Sequence, residues 1–149
     1  MKNGKPLNSL IPSFFNSLIF FMTIFSKIVS GEIPCYKIAE SGDYLAFLDV
    51  RPAKRGHTLC IPKIENDYVF DLSDESLAGL MVFSKHVAKA IEKAIPCKRI
   101  GVAVVGLEVP HTHVHLIPIE SIKDLNFGNP LTLTPEEFIE IQNKIRAQF

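Results

Sequence analysis

The sequence predicts an α+β domain, and three observations carry that reading. Short runs rich in aromatic and β-branched residues follow one another at turn-length separations, too close for parallel crossovers, so their sheet is antiparallel. One long amphipathic helix then separates these runs from a second β-rich pair. A capping-box pattern opens a last helix near the end of the chain. The order helix, strands, helix, strands, helix segregates the helices from an antiparallel sheet.

In chain order, Ile24, Phe25, Ile28 and Val29 recur at helical spacing, and Gly31 with Pro34 closes a short helix over Ile24 to Ile33. Strands follow at Cys35 to Ala39, Tyr44 to Leu48 and Thr58 to Ile61, divided by Ser41-Gly42-Asp43 and by Arg51-Pro52 through Gly56. Ser73, backed by Asp74 and Glu75, caps a long helix whose apolar stripe is Leu77, Leu80, Met81, Val87, Ala88 and Ile91, and which stops before Pro96. Arg99 to Val105 and Thr112 to Ile119 form the second pair of strands, joined around Gly106 and Pro110. Thr134-Pro135-Glu136-Glu137 places proline at the first position of a helix that runs to about Ala147.

A chain of 149 residues, 47% hydrophobic, buries a core as one domain without disulfide or metal staples. Lys plus Arg equals Asp plus Glu at 16 each, so no global field draws the chain to nucleic acid or to anionic membrane, and phosphate recognition has to be local. Cys35, Cys60 and Cys97 are odd in number and contain no C-x-x-C, which fits three reduced, buried thiols in a cytoplasmic protein rather than a disulfide framework or a thiolate zinc site. Residues 1–22 are read as an N-terminal extension and residues 23–149 as the domain. The extension has basic Lys2 and Lys5 before an apolar stretch broken by Pro12 and Asn16, with no small-residue cleavage site and too short a run to span a membrane. A weak secretory signal, a functional extension and an upstream stretch preceding a true start at Met22 are the three readings, and the third is preferred.

Three of the five histidines, His111, His113 and His115, occupy alternate positions. On a strand they line one face, roughly 6.6 Å between neighbours, while Thr112, Val114 and Leu116 point into the core. Folding explains the apolar members and leaves the histidines unexplained. Imidazole, with an ordinary pKa of about 6.5, lets one ring act as a neutral nucleophile while a neighbour supplies a proton or binds phosphate. The competing reading is a metal site, since H-x-H on a strand can place two imidazoles on one zinc. Against it, no Asp, Glu or Cys falls within the triad, and Glu108 and Glu120 stand at spacings that are not ligand-like. Spacing alone leaves catalyst and metal site both open.

The run His-Thr-His-Val-His-Leu-Ile resembles the His-φ-His-φ-His-φ-φ signature of the histidine triad (HIT) family, Thr112 being only partly apolar. Upstream, Ile24-Phe25-Ser26-Lys27-Ile28-Val29, Gly31-Glu32-Ile33-Pro34, Leu45-Ala46-Phe47-Leu48-Asp49 and Gly56-His57-Thr58-Leu59-Cys60-Ile61-Pro62-Lys63 are similar to segments of its nucleotide-binding, bacterial-type branch, in the same order. The resemblance covers Ile24 to about Ile119. It implies a five-stranded antiparallel sheet with a long helix, paired into a homodimer, and a metal-independent attack on the α-phosphate of a nucleotide through a nucleotidyl-histidine intermediate. By position the nucleophile is His113, with His111, His115 and His57 around the phosphate and leaving group. Ile24, Phe25, Ile28, Phe47, Leu48, Asp49 and Val50 match the nucleoside pocket, Asp49 accepting from the ribose hydroxyls. No cofactor is implied. His86, within the long helix, is read as structural.

Two departures qualify the resemblance. The loop before the triad is shortened, Leu107 replaces the usual Gln, and Glu108 sits at a phosphate-contacting position, where a carboxylate repels phosphate unless turned away, protonated or paired. Some bacterial relatives hold a structural zinc through C-x-x-C and a histidine, but here Thr23, Ser26 and Glu65 occupy those positions, so that zinc is not expected. The leading reading is a purine nucleoside 5′-monophosphoramidate hydrolase. The alternatives are a dinucleoside polyphosphate hydrolase and a catalytically weak nucleotide-binding module.

Overall fold

The computed structural model describes residues 22–149, so the stretch read as an extension lies outside the described residues except for Met22. Ten elements follow in order: α1 (Ile24–Val29), β1 (Lys37–Glu40), β2 (Tyr44–Leu48), β3 (Thr58–Pro62), a 3₁₀ turn (Val69–Asp71), α2 (Asp74–Ala94), β4 (Arg99–Ala103), β5 (Val114–Ile119), a second 3₁₀ turn (Ile122–Asp124) and α3 (Pro135–Arg146). The strands form one five-stranded antiparallel sheet in the order β1-β2-β3-β5-β4. Among the described residues no helix is long and apolar enough to cross a membrane.

The sheet divides its side chains by the period of two. Ala46, Leu48, Cys60, Val114 and Leu116 turn to the face covered by α2 and α3, where they meet Leu80, Val87, Ile91, Phe138, Ile141 and Ile145. Leu45, Phe47, Leu59 and Ile61 turn to the other face and take Phe25 of α1 against them. Burying Phe25 there contributes about 2 kcal/mol. Such anchoring matters because a helix of one and a half turns is not stable alone.

Several boundaries differ from the sequence reading. α1 ends at Val29 rather than Ile33 because Gly31 adopts φ +81° and the Ser30 and Gly31 amides fold back onto Ser26 and Ile28 carbonyls. β1 begins at Lys37 instead of Cys35, and its register against β2 shifts between Lys37 and Ala39. β4 stops at Ala103, leaving Val104 and Val105 exposed beyond the ladder. Met81 is 42% exposed and not part of the stripe. The buried face of α2 is Leu80, Ser84, Val87, Ala90 and Ile91, a 3.6-residue progression that puts Met81 about 100° away from Leu80. Of the three free cysteines only Cys60 is buried, its thiol pushed up to about 12 by desolvation; Cys35 and Cys97 are partly exposed.

Candidate active site

The ends of β2 and β3 and the start of β5 come together beside α1. The Asp49 amide donates to the His57 carbonyl at 3.0 Å, fixing these two residues opposite each other across the connection from β2 to β3. That connection needs Gly56, which adopts φ +87°, and a side chain there would also press on Ile95 at 3.0 Å. The segment after β5 folds over the same connection, with the Leu131 amide on the Pro52 carbonyl at 2.8 Å and Lys54 on Asp124 at 3.2 Å. It brings Phe127 to within 4.7 Å of the His115 ring and 6.0 Å of His57, centroid to centroid. The sequence reading missed Phe127, which lies outside every matched motif.

A cleft of about 290 Å³ opens here, lined by Ile24, Phe25, Ile28, Phe47, Leu48, Asp49, Val50, Glu108, His113 and His115, with Arg51, Leu59, Val109 and Phe127 among the others. Every position matched to the nucleoside pocket therefore borders one cavity. Phe25 meets Phe47 edge-on at 5.5 Å and His113 at 5.2 Å, so the apolar wall abuts the imidazoles directly. A second cleft of about 440 Å³, between Lys54, Cys97 and Ile141, contains no histidine.

The histidines do not form the simple strand row that spacing predicts. Only His115 lies within β5; the ladder begins at Val114 because the Thr112 amide donates to the Asn66 carbonyl at 2.6 Å instead of to a strand. Thr112 is buried as expected, but its hydroxyl bonds Asn66 and Asp67 and does not join the apolar core. His111 is fully buried behind the cleft, its Nε2–H donating to the Pro62 carbonyl at 2.7 Å and its Nδ1 facing the Thr23 hydroxyl at 3.0 Å. Burial, opposed by the Pro62 carbonyl and Glu65, lowers its pKa. His113 and His115 face the cleft with ring centroids 4.8 Å apart.

Hydrogen bonds to groups that can only donate or only accept settle where the protons sit. The Ala53 amide donates to His57 Nδ1 at 3.0 Å, so the proton of His57 is on Nε2, 2.9 Å from His115 Nδ1. His115 Nδ1 is therefore an acceptor and its own proton is on Nε2. Both rings are neutral at pH 7: desolvation, then the neighbouring imidazoles, push His57 down to about 3, and desolvation with His113 pushes His115 down to about 4. His113 has the opposite arrangement, its Nδ1–H donating to the His111 carbonyl at 2.7 Å. In the neutral ring the lone pair is then on Nε2. One imidazole thus offers a lone pair beside another that offers a proton.

Asp49 accepts the Arg51 amide at 2.8 Å and places its other oxygen 3.6 Å from His57 Nε2; desolvation raises its pKa. Ligand atoms of Asp49, His57 and His115 lie within 4.8 Å of one another, so this trio can hold a divalent ion, a grouping invisible in the sequence because it joins three separate segments. At the positions of the bacterial structural zinc, Thr23, Ser26 and Glu65 hydrogen-bond among themselves. Two alcohols and a carboxylate do not fit a thiolate and imidazole zinc set.

Comparison with known proteins agrees with this geometry. The HIT domain family model matches residues 30–122. The chain is 40% identical over 129 residues to the adenosine 5′-monophosphoramidase hnt1 of Schizosaccharomyces pombe, covering 84% of this chain and 96% of that protein. Among solved structures, a Hit-like protein from Bartonella henselae superimposes with a TM-score of 0.75 at 33% identity, covering 85% of this chain and 96% of that one. A zinc-bound histidine triad family protein from Mycobacterium smegmatis gives 0.72 at 30% identity, covering 84% and 91%. The matched residues span more than half of the chain, from the end of α1 to the start of the turn after β5, and so the chain belongs to the HIT family.

Proposed function

We propose that the protein hydrolyses purine nucleoside 5′-monophosphoramidates at the α-phosphate, through a nucleotidyl intermediate on His113. The observation that carries this reading is the opposite protonation of His113 and His115 on one cleft wall. His113 Nε2 attacks phosphorus, the P–N bond to the leaving amine breaks, and the amine takes the proton of His115 Nε2, the resulting His115 imidazolate being held by the His57 Nε2–H until water returns the proton. Water then attacks the nucleotidyl-histidine, the bond from phosphorus to Nε2 breaks, and His115 recovers a proton from the water, releasing the nucleoside monophosphate. Asp49 takes the ribose hydroxyls, and Ile24, Phe25, Ile28, Phe47, Leu48 and Val50 enclose the base. His57 acts through His115, and His111 through its carbonyl on His113.

Charge favours an amine over a polyphosphate leaving group. Arg51 is the one cationic side chain among the described residues lining the cleft, against Asp49 and Glu108, and the imidazole of His115 in its wall and that of His57 behind it are neutral. A departing polyphosphate meets little neutralising charge. The relative in Schizosaccharomyces pombe is itself named an adenosine 5′-monophosphoramidase. No metal is assigned a step, because His57 and His115 already satisfy each other; activity abolished by exhaustive chelation and restored by a divalent ion overturns that part.

The dimer belongs to the same proposal. β4 is an edge strand, and Val102, Val104 and Val105 on it and just beyond it are exposed, so pairing two β4 edges across a twofold axis yields a ten-stranded sheet. A cytoplasmic setting accords with the three free thiols. The deciding experiment uses adenosine phosphoramidate labelled at the α-phosphate: rapid quenching yields an acid-labile, base-stable label on the wild type and none on His113→Ala. Label retained by His113→Ala, or absent from a turning-over wild type, overturns the mechanism. Substrate bound but not turned over makes the protein a binding module.

A further inference from the structure

Glu65 lies in the chain after β3, outside the cleft, yet its carboxylate takes two bonds from the start of α1. One Oε2 atom accepts the Thr23 amide at 3.1 Å and the Ser26 hydroxyl. Thr23 in turn caps α1, its Oγ1 accepting the Ser26 amide at 3.1 Å. The Thr23 hydroxyl lies 3.0 Å from His111 Nδ1, whose ring has its proton committed to the Pro62 carbonyl, and 3.1 Å from Ser26 Oγ, whose own proton goes to Glu65, so the one Thr23 proton is shared between these two acceptors. Thr23, Ser26 and His111 are all buried.

This chain of bonds touches the reaction site twice. α1 carries Ile24, Phe25 and Ile28 into the cleft, and Phe25 lies edge-on to both His111 and His113 at 5.8 and 5.2 Å. His111 supplies the carbonyl that holds the Nδ1 proton of His113. A six-residue helix has little hold of its own, and its start is tied to the chain after β3 through this one carboxylate and to the histidine loop through Thr23.

We propose that Glu65 is a positioning residue for nucleotide turnover: by tying Thr23 and Ser26 to the chain after β3, it sets α1 as the wall of the nucleoside pocket and holds the His111–His113 pair in register with it. The inference rests on the nucleotide reading of the cleft. It differs from a purely stabilising role in where the damage falls. Loosening α1 weakens nucleoside binding first and catalysis second, because the His57 to His115 side of the site does not touch this cluster.

Full-length Glu65→Ala and Glu65→Gln settle the matter, with KM and kcat on adenosine phosphoramidate and Kd for AMP measured well below each variant's Tm. Glu65→Ala is expected to raise KM and the AMP Kd about five- to tenfold and to lower kcat by less. Glu65→Gln keeps an acceptor oxygen for both donors and is expected to stay within about twofold of wild type. Constants for Glu65→Ala unchanged from wild type overturn the proposal, as does Glu65→Gln impaired as much as Glu65→Ala. Should Glu65→Ala fail to accumulate, Ser26→Ala removes one of the two bonds and is expected to show a smaller rise in AMP Kd; no rise overturns the proposal. AMP binding needs no turnover, so a wild type that binds AMP without hydrolysing the amidate defeats the enzymatic reading and leaves this test intact.

Discussion

His57 Nε2 lies 2.9 Å from His115 Nδ1, and the backbone amide of Ala53 on the far side of His57 fixes which of the two donates. The consequence is carried across two rings: one main-chain N–H dictates that His115 presents its proton on the nitrogen not engaged by His57. His57 therefore never has to meet the substrate to matter.

His57→Ala removes this control and frees the His115 tautomer. The expected loss in kcat/KM on an amine leaving group is about 10²-fold, within the range of general acid catalysis. On a nucleoside 5′-p-nitrophenyl phosphate, whose phenolate departs without a proton, the expected loss is under about fivefold. His115→Ala is expected to show the same split, larger on the amidate. Steady-state kinetics on both substrates checks it, and equal losses on the two sink the proton-donor assignment.

Asp49 is held by its own loop, through the Arg51 amide at 2.8 Å, in a position where one oxygen stays available to a ligand. Asp49→Ala is expected to raise KM for adenosine phosphoramidate about tenfold, the size of a lost hydrogen bond to a charged acceptor. The 2′-deoxy substrate is expected to lose much less. A ribose preference unchanged by the substitution means that the hydroxyls are read elsewhere.

Most of the scaffold was legible because its cues are local. Ser73 and Thr134 cap the helices they were read to cap, and the proline at the start of α3 and the alternation of Phe47 with Leu48 or Val114 with His115 do what their periods require. What escaped depended on partners distant in sequence. The Thr112 amide goes to Asn66, and no pattern around Thr112 encodes that, so alternation alone makes the strand two residues too long and puts His111 in a row it does not join. Phe127 reaches His115 from a segment without periodicity. The Glu65 tether spans some forty residues, and sequence registered Glu65 only as a departure from a zinc pattern. Ala53 contributes through its amide, which no side-chain reading can register.

Glu108 borders the cleft near Asp49, whose carboxyl it helps to keep protonated to higher pH, although desolvation is the larger cause. Its side chain is exposed, so the energy is small and screened by salt. Glu108→Gln is expected to improve kcat/KM on diadenosine polyphosphate about threefold at low ionic strength, and Glu108→Lys somewhat more, with adenosine phosphoramidate nearly unchanged. Both gains should shrink at high salt. A gain equal on the two substrates, or independent of salt, removes Glu108 as a discriminator of leaving-group charge.

The buried imidazoles also set how stability responds to acid. His57 titrates near 3 and His115 near 4 in the folded protein, both depressed first by desolvation, whereas in the unfolded chain each titrates near its ordinary value of about 6.5. Between those limits the unfolded chain binds more protons than the folded one, so stability rises with pH across the window and is lost as pH falls from about 6.5 toward 4. At pH 5 the loss is on the order of 2 kcal/mol for each ring. Asp49 works in the opposite sense, because its raised pKa makes the folded state take up a proton sooner, and it offsets part of the loss. Calorimetry from pH 7.5 to 4.5 is expected to show the wild-type Tm falling by several degrees. A protein carrying both His57→Gln and His115→Gln, which have nothing to titrate, is expected to follow a visibly flatter course. Parallel curves for the two proteins place the acid sensitivity elsewhere in the molecule and undo the claim that both rings are held neutral.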